Sequence, residues 1–233
     1  MKLKIFYGTL WVIIHRVLLF LYCRYPKMYM KLAERTTDFF IGKRLINESE
    51  RDIYVYSFEV LISDLVYFMV AFLTALISGT LIETLLFFLG FFSIRRFSGG
   101  FHASSYKRCH LLFWLNQVMM VILLRITDFS KISILILILY AASLLSVFSL
   151  APVANENKPF TVDEAKRFGL LSRVMIILTA VVTVGLYIVN VDRAYLYVYI
   201  FGVFSASAAL IAEKIKITIA KEGDKYGKKH EIG

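Results

Sequence analysis

Residues 132–150 read ISILILILYAASLLSVFSL, a run without a single charged side chain. At 1.5 Å per residue, a helix of that length covers about 28 Å, close to the roughly 30 Å of a bilayer's hydrocarbon core. Five further apolar runs flank it, at about 54–77, 80–94, 110–126, 170–190 and 194–212. Backbone in lipid must satisfy its own N–H and C=O groups, which a helix does within one segment. The expected fold class is an all-α polytopic membrane protein of about six transmembrane helices. The run at 80–94 is the short one, expected to cross steeply or to merge into the residues after it.

Composition points the same way. Of the 233 residues, 59% are apolar types and 19% charged, with 20 phenylalanines and 14 tyrosines. A soluble domain of this size lacks the interior to hide so much apolar surface, whereas lipid accepts it on any face. The formal charge of +10 would suit a nucleic-acid binder only if it formed a solvent-facing basic domain. Instead the basic residues sit in short links between apolar runs, so nucleic acid is set aside and anionic lipid or an acidic peptide is the expected partner.

The links also orient the chain. Those near Ser78-Gly79, Thr127–Lys131 and Val191–Arg193 are tiny, whereas 95–109 and 151–169 are longer and rich in Arg and Lys. A positive-inside bias therefore places 27–52, 95–109, 151–169 and the C-terminal residues in the cytoplasm. The expected localisation is a membrane crossed several times, with the 95–109 segment on its cytoplasmic side.

The expected organisation has four parts. Residues 1–26 hold an apolar run, Ile5 to Tyr22, interrupted by His15 and Arg16. It reads as an interfacial or re-entrant segment, with a true span as the alternative, and no small-residue cleavage site precedes Cys23. Residues 27–52 read as a cytoplasmic amphipathic helix ending near Asn47-Glu48, since Leu32, Phe39, Phe40 and Leu45 recur at about helical spacing among charges. Residues 53–215 form the transmembrane domain, and 216–233 a polar cytoplasmic tail whose last dozen residues are expected to be mobile.

The chemistry concentrates in residues 95–109, RRFSGGFHASSYKRC. His102 and Cys109 stand seven apart in a basic, glycine-containing link. A thiolate is the reactive form of cysteine and is favoured beside positive charge, while histidine can accept the thiol proton and return one to a leaving amine. On an unbroken helix the two would be about 10.5 Å apart along the axis, too far for proton transfer. Gly99 and Gly100 supply backbone for a turn ahead of His102, and Ser104 and Ser105 can cap a helix restarting before Cys109. The expected shape is a bent segment that folds His102 back over Cys109.

Plainer readings stand beside this one. Cys109 could serve metal binding or regulation, or do no chemistry, although His110 is the one nearby ligand and metal sites need more. Cys23 reads as a buried, inert thiol. Arg95, Arg96, Lys107 and Arg108 could be membrane anchors or could capture an acidic substrate segment. Glu59, Asn116 and Gln117 are each candidates to orient His102, with helix packing as the alternative, and Asp64 and Glu83 read as groups that order the bundle.

Arg95, Gly99-Gly100-x-His102 and Cys109 together resemble the accessory gene regulator B family, the AgrB-like membrane cysteine endopeptidases of Gram-positive bacteria. Ala151-Pro152-Val153 followed by Asn157-Lys158-Pro159, and the lead-in from Ala33 to Asp38 with Tyr56 and Glu59 to Leu61, strengthen the resemblance, which covers about 30–215. The first 25 or so residues depart from the family pattern. The resemblance implies a thiol protease that works as a homodimer in quorum sensing, without a metal or cofactor. Its partner would be an AgrD-like precursor peptide with an amphipathic leader and an acidic C-terminal tail. Cys109 would attack the bond before that tail with His102 as base, leaving an acyl-enzyme thioester that an internal Cys or Ser of the peptide resolves into a thiolactone or lactone. Arg95 and Gly100 would be required residues by the same resemblance. Rival readings are a small-peptide transporter, which would work without Cys109, and a membrane redox sensor, which would form no acyl adduct.

Overall fold

Helix is the only extended regular structure among the described residues 26–101, 106–154 and 160–230 of the computed structural model. The residues before 26, where the N-terminal apolar run and Cys23 fall, lie outside the described part. Seven α-helices follow: α1 (Pro26–Gly42), α2 (Arg51–Ser78), α3 (Leu81–Ser98), α4 (Tyr106–Ile126), α5 (Phe129–Leu150), α6 (Val162–Ile188) and α7 (Arg193–His230). Five of them, α2, α4, α5, α6 and α7, are long and apolar enough to cross a membrane. This is the all-α, multi-span architecture expected of a multi-pass membrane protein. The remaining long candidate, α3, carries Glu83 in its first turn and Arg95 and Arg96 in its last, and is not among the five.

The amphipathic stretch is shorter than its composition suggested. Pro26, which has no N–H to waste, opens α1, and the helix stops at Gly42 rather than near Asn47. Arg44 turns left-handed (φ 56°), and the N–H groups of Lys43, Arg44 and Leu45 return to the carbonyls of Phe39, Ile41 and Phe40. These bonds satisfy the last carbonyls that a helix end leaves open. A 3₁₀ turn at Glu48–Glu50 then leads into α2. The first helix long and apolar enough to span, α2, therefore starts at Arg51, inside the stretch assigned to the amphipathic helix.

The chain forms two compact units. The first comprises residues up to Leu81 together with Ala103–Val118, and the second Ile82–His102 with Met119 onward. In the first, α1 packs on the start of α2 through the Arg51–Asp38 ion pair (2.9 Å) and the stacked rings of Phe40 and Phe58 (5.6 Å). Leu32 and Phe39 stay exposed on α1, as suits a helix lying at a lipid interface. Deeper in, the first half of α4 is tied to α2 by two buried bonds. The Trp114 indole donates to Thr74 Oγ1 (3.1 Å), and the Gln117 amide donates to the Ala71 carbonyl (2.9 Å).

In the second unit, α5 packs against α6 and α7. Tyr140 and Thr183 hydroxyls bond at 2.7 Å, and Tyr197 donates to Ser133 at 2.9 Å. The α3–α7 contact is close because glycines line it. A side chain at Gly90 would strike the Tyr199 carbonyl, and one at Gly202 the Phe87 carbonyl. Lipid offers no hydrophobic drive between helices, so such close backbone approach supplies the attraction instead. A capping box between Thr161 and Glu164 starts α6, while α7 runs on to His230 through the stretch expected to be a mobile tail.

Candidate functional site

Arg95 closes the last turn of α3 onto the chain that follows it. Its guanidinium donates through Nη1 to the Gly99 carbonyl and through Nη2 to the Phe101 carbonyl. The planar fork matches two acceptors at once, which a lysine ammonium cannot do in the same way. Gly99 (φ 71°) and Gly100 (φ 111°) both hold left-handed backbone, so the expected turn is present. Space also excludes other residues. A Cβ on Gly99 would run into the Val153 carbonyl, and one on Gly100 would come within 3.0 Å of Leu210 backbone.

The second family-like stretch, Ala151-Pro152-Val153, is the partner of this turn. Val153 donates its N–H to the Ser98 carbonyl (2.9 Å) and accepts from the Gly100 N–H (3.3 Å), forming a lone parallel bridge with Gly99. Phe101 then donates to the Ala209 carbonyl of α7 (2.8 Å). One helical turn past Ala209, the carboxylate-bearing side chain of Glu213 is fully buried.

His102, Ala103, Ser104 and Ser105, and with them the expected fold-back onto Cys109, lie outside the described residues. Cys109 itself is a free, partly exposed thiol in the first turn of α4, with Arg108 exposed beside it. The unpaired N–H groups of a helix start give that turn a partial positive charge. Lys107 shares the turn. Arg96 is exposed and lies over the Phe97 ring, 5.9 Å from its centroid.

Next to Cys109 the structure builds a polar cluster that the sequence reading missed. His110 Nδ1 is 3.1 Å from Ser63 Oγ, and His110 Nε2 is 3.0 Å from Asp64 Oδ1. Tyr67 stacks on the same imidazole, with ring centroids 5.3 Å apart and planes 13° apart, and meets Phe113 edge-on at 5.0 Å. The signal was legible in part: Ser63 and Tyr67 are four apart on α2, and a carboxylate in a span calls for a partner. Of the residues proposed to orient His102, Glu59 and Asn116 are partly buried, and Gln117 is fully buried with its amide on Ala71. Among the described residues, no three His, Cys, Asp or Glu side chains gather as a metal site. A cavity of about 190 Å³ in the second unit, walled by Met120, Phe129, Phe201 and Phe204 among others, is almost wholly apolar and holds none of these groups.

Comparison with known proteins matches residues 27–211 to the family accessory gene regulator B. An AgrB-like protein of Listeria monocytogenes serotype 4a (strain HCC23) is 29% identical over 140 residues, which is 58% of this chain and 67% of the relative. One from Clostridium perfringens (strain SM101) is 26% identical over 133 residues, covering 54% of this chain and 62% of that protein. The matched stretch thus spans about two thirds of the length of these relatives. No solved structure matches the chain. With the glycine turn, Cys109 and all the long apolar helices inside or overlapping the matched region, the chain belongs to the accessory gene regulator B family.

Proposed function

We propose that this AgrB-family membrane protein is a cysteine endopeptidase that removes the acidic tail of an AgrD-like precursor peptide and cyclises what remains. The observation that carries the reading is Cys109: a free, partly exposed thiol in the first turn of a helix long and apolar enough to span. A sulfur there is reachable from the membrane interface and still screened from bulk water, which protects a thioester from hydrolysis.

In this reading His102 takes the thiol proton and the sulfur attacks the carbonyl carbon before the tail. The C–N bond breaks, the tail departs as an amine carrying that proton, and the peptide stays on Cys109 as a thioester. An internal Cys or Ser of the peptide then attacks, forming a thiolactone or lactone and restoring the thiol. Exchange of one thioester for another is nearly balanced, so no ATP is needed. Arg95, Gly99 and Gly100 hold the turn that precedes His102. Arg96, Lys107 and Arg108 steer the acidic tail. The peptide's amphipathic leader rests on the inner membrane face beside α1, and the enzyme works as a homodimer.

The test is co-expression with a short peptide that has an amphipathic start, an internal Cys or Ser and an acidic C-terminus, read by mass spectrometry. The native chain should yield a tail-free cyclic product, and Cys109→Ala, Cys109→Ser and His102→Ala should yield none. Tail release persisting in Cys109→Ala would end the reading, and linear product alone would remove the cyclisation step.

A further inference from the structure

Tyr67 is 7% exposed, and its hydroxyl has no hydrogen-bond partner among the described residues. Leaving a buried hydroxyl unbonded is costly, and native proteins rarely accept that without a use for the group. The ring cannot easily swing to find a partner. One face stacks on His110, itself held by Ser63 and Asp64 on α2, and Phe113 meets it edge-on. His110 and Phe113 lie one and four residues after Cys109 on α4, so the phenol is pinned against the part of the helix that carries the thiol. Neither Cys109 nor Asp64 bonds the hydroxyl. A rigid O–H donor thus stands against the helical turn that begins at Cys109, with its bond unmade. What it lacks is an acceptor, and an acyl substrate brings one.

We propose that the Tyr67 hydroxyl is an oxyanion donor: it bonds the carbonyl oxygen of the peptide bond that Cys109 attacks. The inference rests on the reading of Cys109 as nucleophile. As the C–S bond forms, the C=O π pair moves onto oxygen, and the Tyr67 O–H strengthens its bond to that oxygen without giving up its proton. When the C–N bond breaks, the C=O reforms and the thioester is left. A donor placed before the reaction needs no reorganisation when charge develops, which is why such groups matter so much to rate. The imidazole of His110 acts as a positioning residue here, holding the phenol ring rather than moving a proton.

Tyr67→Phe removes the O–H and keeps the ring that stacks on His110, so the fold is preserved. In a Cys23→Ser background, Tyr67→Phe should slow tail release by about 10²–10³-fold with KM little changed. Alkylation of Cys109 by iodoacetamide displaces iodide at a saturated carbon and builds no oxyanion, so its rate should be unchanged. Wild-type tail release in Tyr67→Phe, with Cys109→Ala inactive, would overturn the inference alone. Equal slowing of release and alkylation would also overturn it, since the hydroxyl would then serve the sulfur. Tail release surviving in Cys109→Ala would instead bring down the nucleophile reading beneath it.

Discussion

The imidazole of His110 on α4 lies 3.0 Å, Nε2 to Oδ1, from the carboxylate of Asp64 on α2. Both side chains belong to membrane-spanning segments, where a polar group has little water to return to and pairing across helices is the available remedy. The pair also aligns the stack of Tyr67 beside Cys109, so its energetics bear on the proposed chemistry.

A double-mutant cycle of Asp64→Ala and His110→Ala should show favourable coupling of about 0.6 kcal/mol and no more than about 1.7, the mean and maximum found for polar pairs between membrane helices. Unfolding of the detergent-solubilised protein would read it. Additive single effects would show that the pair contributes no stability.

Gly99→Ala should be far worse than its size suggests. Left-handed backbone costs an L-residue about 1–2 kcal/mol, and the added methyl meets the Val153 carbonyl as well. The Gly99–Val153 bridge should open and tail release should fall by at least roughly tenfold, the rate equivalent of that cost. Gly42→Ala, where nothing stands within 4 Å of the new methyl, is the control and should retain activity.

Arg95→Lys should fail to rescue Arg95→Ala. One ammonium cannot span the Gly99 and Phe101 carbonyls as the guanidinium fork does. Losing one charged hydrogen bond costs about 1.5–3 kcal/mol, or roughly 10–150-fold in rate if the turn must hold during reaction. Because these acceptors are intramolecular, the defect should be the same at low and high salt. A salt-dependent defect would point instead to capture of the substrate's tail.

Much of the architecture was legible because lipid imposes a simple rule: long apolar runs must be helices, and the runs at 132–150 and 170–190 became α5 and most of α6. Helix ends were less legible, since charged residues are good helix formers. Arg95 and Arg96 extend α3 to Ser98, and α7 continues through Lys and Glu to His230. The turn at Gly99-Gly100 could be anticipated because only glycine accepts such backbone at low cost.

By itself the sequence determined a multi-span helical membrane protein, the gathering of its basic residues into the links between apolar runs, and the motif from Arg95 to Cys109 that carries the family resemblance. Tertiary structure alone decided that Val153 completes the glycine turn, that Arg95 bonds backbone, and that Ser63, Asp64, Tyr67 and His110 gather beside the thiol. The reason is distance along the chain. Periodicity and spacing report contacts within a helix, whereas Val153 follows Gly99 by 54 residues and His110 follows Asp64 by 46, separations that only helix packing closes.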